Sequence, residues 1–144
     1  MRNLKNILPI MALTAFILNL IWEILHSKLY FVSGGSMPWF YLWFGTVIDV
    51  VYVLALYFIV ALLLSDKAWI FKLNFKRLIL MGFLGVLLAI VNEAAALALN
   101  LWQYAPSMPL LLARVGLSPV LQMALLAPLS ILLSSGIIKK IKTE

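Results

Sequence analysis

Three carboxylates lie inside apolar stretches of the chain. Glu23, Asp49 and Glu93 are three of the five acidic residues, and each interrupts a long run of hydrophobic side chains. An ionised carboxylate at the bilayer centre costs about 2.5–3.5 kcal/mol on insertion scales, so such groups usually face a bundle interior or a cavity. Desolvation there can keep one carboxyl protonated while another stays ionised, which suits acid–base catalysis. We predict Glu23 and Glu93 as the principal catalytic groups, with Asp49 in support.

Other polar side chains are expected near these carboxylates. Asn19, Glu23 and His26 are spaced i, i+4 and i+7, so they share one face of a helix, which Trp22 flanks. Arg114 could pair with a carboxylate or with the anionic head of a ligand. The predicted substrate-binding residues are Asn19, Trp22, His26, Tyr52, Asn92, Asn100, Trp102, Tyr104, Arg114 and Gln122.

Metal and nucleophile chemistry are weaker alternatives. Glu23-x-x-His26 has the i, i+3 spacing of di-iron bundles, but those proteins need the motif twice, and this chain has one His and no Cys. We therefore predict no metal, although a single ion on Glu23, His26, Asp49 and Glu93 stays an alternative, and no cofactor is identified. A serine nucleophile is disfavoured because no serine shares the helix face of His26.

The elements that carry these residues are predicted to be transmembrane helices. The 144 residues are 65% hydrophobic and 11% charged, with a mean hydropathy of +1.11, whereas soluble domains are about 25% charged. Each of four apolar runs is long enough to cross a hydrocarbon core of about 30 Å. We predict an all-α, polytopic membrane protein, a four-transmembrane-helix bundle in one domain, with spans at about 7–25, 39–64, 78–101 and 119–138.

Lys and Arg residues predict the orientation of the bundle. Nine of the eleven fall before the first span, between the second and third, or after the fourth, and the other two are Lys28 and Arg114. The positive-inside rule places the nine-residue side, and with it both termini, in the cytoplasm of a cell-membrane protein. The net charge of +6 therefore indicates contact with membrane lipids, and we predict no nucleic-acid partner. By helix depth, the polar groups gather in the outer half of the membrane.

Two further patterns concern the assembly of the helices. Ser-Met-Pro occurs at 36–38 and again at 107–109, which suggests a duplicated helical hairpin with a pseudo-twofold axis along the membrane normal. Gly82, Gly85, Ala89, Glu93, Ala96 and Asn100 are predicted to form a stripe on the third span. Small residues allow close helix contact, either within one bundle or in a homo-oligomer, and contact within one bundle is the commoner use.

The stretch Asn19-Leu20-Ile21-Trp22-Glu23 resembles the Asn-x-x-Trp-Glu segment of integral-membrane terpene cyclases. The resemblance implies that Glu23 is a proton donor to an isoprenoid epoxide or olefin. It covers five residues of a chain with fewer helices than those enzymes. The set Asn19/Trp22/Glu23/His26, Asp49, Asn92-Glu93, Trp102-x-Tyr104, Met108-Pro109 and Ser118-Pro119 is similar to a group of small, uncharacterised four-helix membrane proteins, and this second resemblance implies no activity.

Two functions are consistent with these residues. The first is an outward-facing carboxylate and His pocket that binds a lipid-like or isoprenoid small molecule, or isomerises or cyclises it by acid–base chemistry. The second is a non-enzymatic, proton-coupled carrier or an accessory membrane subunit. In that second function the polar cluster carries protons or holds helices together, because polar side chains also hydrogen-bond between packed helices.

Overall fold

The computed structural model describes residues 4–32, 35–111 and 114–141, with side chains from Ile7 onward. Within these ranges the chain forms four long helices, and all four are long and apolar enough to cross a membrane. The predicted all-α, four-helix membrane bundle is therefore confirmed. The helices are α1 (Leu4–His26), α2 (Trp39–Leu63), α3 (Phe75–Ala98) and α4 (Leu117–Ile141).

Helix α3 starts and ends earlier than the predicted span of 78–101. Asn74 caps its N-terminus, because the Asn74 side chain accepts a hydrogen bond of 3.0 Å from the backbone N–H of Arg77. At the other end Asn100 has a φ of 55°, a left-handed conformation that stops a helix and that Asn tolerates better than most residues.

Neighbouring helices run antiparallel. Thr14 Oγ1 of α1 lies 2.6 Å from Ser134 Oγ of α4, and His26 lies beside Ser118, so α1 ascends as α4 descends. The start of α1 at Leu4 and the end of α4 at Ile141 therefore lie at one end of the bundle, with the α2–α3 connection, and we call this the termini end. The α1–α2 and α3–α4 connections meet at the opposite end. Arg2 and Lys142, used to predict orientation, lie outside the described residues.

A small antiparallel sheet joins the two connections at that opposite end, which we call the sheet end. Its strands are β1 (Tyr30–Val32), β2 (Gly35–Ser36) and β3 (Gln103–Tyr104), in the order β2-β1-β3. Tyr30 pairs with Tyr104 across β1 and β3. Because β1 and β3 come from different helical hairpins, the sheet fixes one hairpin against the other directly above the bundle interior.

Glycines allow α3 and α4 to touch closely. A Cβ atom on Gly82 would lie 2.8 Å from the carbonyl oxygen of Ala124, and one on Gly85 would lie 2.6 Å from that of Met123. Any side chain at either position would therefore push the helices apart. The small-residue stripe serves contact within the bundle, while the homo-oligomer stays a prediction.

The termini half of the bundle is filled by apolar side chains. Trp69 and Tyr57 are fully buried and stacked, and the indole N–H of Trp69 donates a hydrogen bond of 3.1 Å to the Tyr57 carbonyl. Large hydrophobic side chains elsewhere point outward, where lipid tails would solvate them. Examples from all four helices are Leu25, Leu62, Phe83 and Leu125.

Candidate functional site

A half-open cavity of about 520 Å³ lies in the sheet-end half of the bundle. This volume falls within the range of about 300–1,000 Å³ that is usual for small-molecule sites. All four helices and the α1–α2 and α3–α4 connections contribute to its wall. The lining residues are Glu23, His26, Tyr30, Met37, Phe40, Tyr41, Phe44, Gly45, Ile48, Asp49, Tyr52, Ala89, Asn92, Glu93, Leu101, Trp102, Pro119, Gln122 and Met123.

Gln122 of α4 connects the polar groups of three helices. Its amide nitrogen donates to Asp49 Oδ2 at 2.6 Å, to Asn19 Oδ1 at 3.0 Å and to Glu23 Oε1 at 3.2 Å. A primary amide has two N–H groups, so three acceptors share two protons. Asn19 is fully buried, donates to the Ala15 carbonyl at 2.9 Å and does not line the cavity. Its contribution is to hold Gln122.

The carboxyl groups of Glu23 and Asp49 lie close together, because one oxygen of each accepts a hydrogen bond from the Gln122 amide nitrogen. The α1–α2 contact is close here because residue 45 is glycine, and a Cβ at Gly45 would lie 3.3 Å from Glu23 Oε2. The structure thus brings together two of the three predicted catalytic carboxyls.

His26 lies between Glu23 and a serine of another helix. His26 Nε2 is 3.3 Å from Glu23 Oε1, and His26 Nδ1 is 2.8 Å from Ser118 Oγ. The sequence argument considered only serines on the helix face of His26 and could not find Ser118, which comes from the start of α4. The imidazole can therefore pass a proton between the serine hydroxyl and the Glu23 carboxyl.

Glu93, the third carboxyl, is held from the α3–α4 connection. Its side chain is almost fully buried, with 3% exposed, and its Oε2 accepts hydrogen bonds from the Tyr104 hydroxyl at 2.5 Å and the Trp102 indole at 3.3 Å. Burial, and then the hydrogen bond to Glu93, raises the pKa of Tyr104, so this phenol keeps its proton. Tyr104 also accepts a hydrogen bond of 2.9 Å from the Gly116 backbone N–H.

Tyr30 is a cavity residue that the predicted site did not include. Its ring centroid lies 5.1 Å from that of His26 and 5.6 Å from that of Tyr104. Burial, and then the nearby charge of Glu93, raises the pKa of Tyr30. The sequence offered a signal, since Tyr30 is at i+11 from Asn19. However, the chain leaves the helix at His26, and β1 rather than α1 positions the ring.

Aromatic side chains of α2 form much of the wall and were also missed. The additional residues are Phe40, Tyr41 and Phe44. Tyr41, Gly45, Asp49 and Tyr52 follow at spacings of four, four and three, so they share one helix face, and this pattern was available in the sequence. Tyr52 was predicted, and its hydroxyl donates a hydrogen bond of 2.7 Å to Asn92 Oδ1, which links α2 to α3.

Tyr104 contacts the cavity only through Glu93, and three other predicted residues also lie away from the cavity wall. Asn100 is exposed and terminates α3, and Arg114 is exposed with a φ of 62°. Within the described ranges, no carboxylate lies within ion-pair distance of Arg114, so the structure does not form the expected pairing. Trp22 packs its ring edge against His26, and its buried indole N–H has no partner among the residues described.

Metal ligation finds little support in this geometry. Across residues 4–32, 35–111 and 114–141, no group of three or more His, Asp or Glu side chains is arranged to hold a metal ion. The chain has no cysteine to supplement them. The arrangement instead offers proton donors and acceptors around an apolar space.

Fold and site together define a multi-pass membrane protein with four apolar helices and one cavity that contains buried carboxyl groups. No protein-family model matches the chain, and neither the curated proteins nor the solved structures include a match.

Proposed function

We propose that the protein binds a lipid-like or isoprenoid molecule in this cavity and processes it by acid–base chemistry. The observation that carries the proposal is the combination of two buried carboxyl groups, Glu23 and Glu93, and the half-buried Asp49 with an otherwise apolar, aromatic wall. Polar side chains that only hold helices together need no cavity beside them. A cavity of about 520 Å³ next to the carboxyl groups is what a ligand site requires.

The ligand would enter sideways from the bilayer between α2 and α3. These two helices contact each other less than α1 contacts α2 or α3 contacts α4. Phe40 and Phe44 line the cavity and are also 55% and 65% exposed on the outer surface of the bundle. The cavity wall is therefore continuous with the lipid-facing surface. The apolar core around Tyr57 and Trp69 closes the termini half, which favours a site over a through-going pore.

The three carboxyl groups would divide the proton transfers between them. A proton held between Glu23 and Asp49 would be delivered to a substrate olefin or epoxide, and the resemblance at residues 19–23 implies the same role for Glu23. Glu93 approaches from α3 and would accept a proton from the substrate on Oε1. Addition of a proton at one carbon and removal from another isomerises an olefin with no net change in its atoms. The cycle closes when the proton taken up by Glu93 returns to Glu23, and His26, whose Nε2 is 3.3 Å from Glu23 Oε1, would relay it.

We further propose that the termini end faces the cytoplasm of a cell membrane. Lys67, Lys72, Lys76, Arg77, Lys139 and Lys140 belong to that end, whereas Lys28 and Arg114 belong to the sheet end. By the positive-inside rule the cavity then lies in the outer half of the membrane. Membrane lipids are the expected surroundings and the expected source of the ligand.

Mass spectrometry on protein purified in mild detergent tests the proposal. We expect a specific lipid or isoprenoid to be retained by wild type and lost from Glu23→Gln and Glu93→Gln. Asp66→Asn is the matched control, because it removes the same charge in the α2–α3 connection at the termini end, outside the cavity lining. If no ligand is retained and Glu23→Gln only lowers the melting temperature, the carboxyl groups are packing elements of a carrier or accessory subunit.

A further inference from the structure

The charged groups that line the cavity are all acidic apart from one histidine. They comprise Glu23, Asp49 and Glu93, with His26 beside them, and no Lys or Arg is among the described lining residues. Arg114, near the sheet end, is exposed and does not line the cavity, so it does not balance the acidic groups there. Within a low-dielectric interior, this arrangement repels an anionic head group and attracts a cation.

Glu93 has one carboxyl oxygen that no protein group hydrogen-bonds. Both of its hydrogen bonds, from Trp102 and Tyr104, go to Oε2. In the part of the chain that the structure describes, no donor reaches Glu93 Oε1, although the residue is only 3% exposed. Because Glu93 lines the cavity, a ligand there can supply a donor to this oxygen.

Aromatic rings surround the same space. Tyr30 and Trp102 lie at the sheet end with ring centroids 6.2 Å apart, and Phe40, Tyr41, Phe44 and Tyr52 line the α2 side. The faces of such rings carry partial negative charge and attract ammonium groups. The phenols of Tyr30 and Tyr104 stay neutral because burial raises the pKa of each, so these two rings add no charge of their own to the site.

We infer that the ligand of this cavity is a cationic amphiphile, a protonated amine on an apolar chain. The ammonium group would donate a hydrogen bond to Glu93 Oε1 and contact the rings of Tyr30 and Trp102, while its chain would pass Phe40 and Phe44 toward the lipid. The inference rests on the proposed function, since it assigns the head-group chemistry of the same cavity. A reaction intermediate with positive charge on carbon would be stabilised by the same groups, and the amine is then its stable mimic.

Binding to protein in nanodiscs of neutral lipid tests this charge preference. The probes are N,N-dimethyldodecylamine, which is cationic at neutral pH, and the two chain-matched ligands dodecanol and dodecanoate. We expect wild type to bind the amine at least about tenfold more tightly than the alcohol, because a hydrogen bond between two charged groups exceeds a neutral one. Dodecanoate should bind most weakly.

Glu93→Gln identifies the group responsible. Glutamine can still accept the hydrogen bonds of Tyr104 and Trp102, so the fold should survive, but the negative charge is removed. We expect the preference for amine over alcohol to fall about tenfold in this variant and to be unchanged in Asp66→Asn, which controls for charge attraction between amine and protein.

The possible binding results distinguish the preference for a cationic ligand from the binding of any lipid-like ligand in the cavity. If dodecanol binds as tightly as the amine, the cationic preference is wrong while the lipid-binding cavity stands. If dodecanoate binds best, the charge argument is reversed and the inference is overturned. If none of the three probes binds to wild type, the inference and the proposed function both fail. An amine preference that survives in Glu93→Gln would refute the role given to Glu93.

Discussion

The amide nitrogen of Gln122 lies 2.6 Å from Asp49 Oδ2, and this hydrogen bond joins α4 to α2 in the middle of the bundle. The same amide reaches Asn19 and Glu23 on α1. One neutral side chain thereby organises the carboxyl pair on which the candidate site depends. Its removal should affect both the fold and the site.

Gln122→Leu should lower the free energy of unfolding by about 1–3 kcal/mol, since the buried Asn19 and Glu23 acceptors and the half-buried Asp49 lose their donor. The measurement is the melting temperature in mild detergent. Gln103→Leu, at an exposed position of β3, is the control and should change little. Equal melting temperatures for the two variants would mean that the Gln122 network contributes nothing to stability.

Gly85→Ala should destabilise the α3–α4 contact, because its Cβ would lie 2.6 Å from the Met123 carbonyl oxygen. Overpacking of this kind typically costs about 1–3 kcal/mol. Gly136→Ala on α4 is the control, because nothing lies within 4 Å of its added Cβ. Thermal unfolding of both variants checks the prediction, and a Gly85→Ala protein as stable as Gly136→Ala would contradict it.

Tyr104→Phe should weaken retention of the co-purified ligand and lower the melting temperature. The change removes the hydrogen bond of 2.5 Å to Glu93 and leaves the Gly116 N–H without its acceptor, a loss of about 1–3 kcal/mol. Tyr41→Phe is the control, since the Tyr41 ring lines the cavity and its hydroxyl makes no hydrogen bond within the described residues. A similar response of both variants would show that the Tyr104 hydroxyl has no special role.

The Asp66–Lys72 pair predicts a dependence of stability on pH at the termini end. The hydrogen bond of 2.9 Å from Lys72, with a second from the Ala68 N–H, lowers the pKa of Asp66. The folded-state pKa is thus below the unfolded one. The pair therefore stabilises the fold above the unfolded pKa, and this contribution disappears as pH falls through the folded pKa.

Asp66→Asn should consequently be less stable than wild type at neutral pH. The difference should begin to shrink near the ordinary aspartate pKa of about 4 and vanish below the lower folded-state pKa. Melting temperatures of both proteins across acidic pH measure it. The difference should be small and should shrink with added salt, because Lys72 is exposed. A difference in melting temperature that persists at low pH would have a cause other than the ionisation of Asp66.

Reporter fusions test the proposed orientation. A cytoplasmic reporter at the C-terminus or in the Ser65–Asn74 connection should be active, and the same reporter inserted after Ser107 should be silent. The expectation follows from the distribution of Lys and Arg between the two ends. The opposite pattern would put the cavity in the inner half of the membrane.

Much of the architecture could be predicted from apolar run length, because a membrane helix must satisfy its own backbone and contain enough hydrophobic residues to span lipid. The convergence of Glu23, Asp49 and Glu93 on one cavity also followed from helix faces and depth. Contacts made by the connections between helices could not be predicted in this way. Tyr30 reaches the site because β1 pairs with β3. Asn100 and Arg114 have positive φ in the connection between α3 and α4, where helical periodicity does not apply.

Ser118 illustrates a second limit. Its contact with His26 joins residues that are 92 positions apart, on different helices, and periodicity within one helix cannot indicate which residues of another helix will face it. The glycine stripe of α3 did indicate a close partner, although the sequence did not identify α4 as that partner.

The exposure of Phe40 and Phe44 has a consequence for how the cavity is filled. Where these rings form the cavity wall, acyl chains of neighbouring lipids complete it. Lipid molecules are therefore part of the binding site. Occupancy would then follow the mole fraction of ligand in the bilayer rather than its concentration in water. Chain length and unsaturation of the surrounding lipids should change apparent affinity even when every residue of the protein is unchanged.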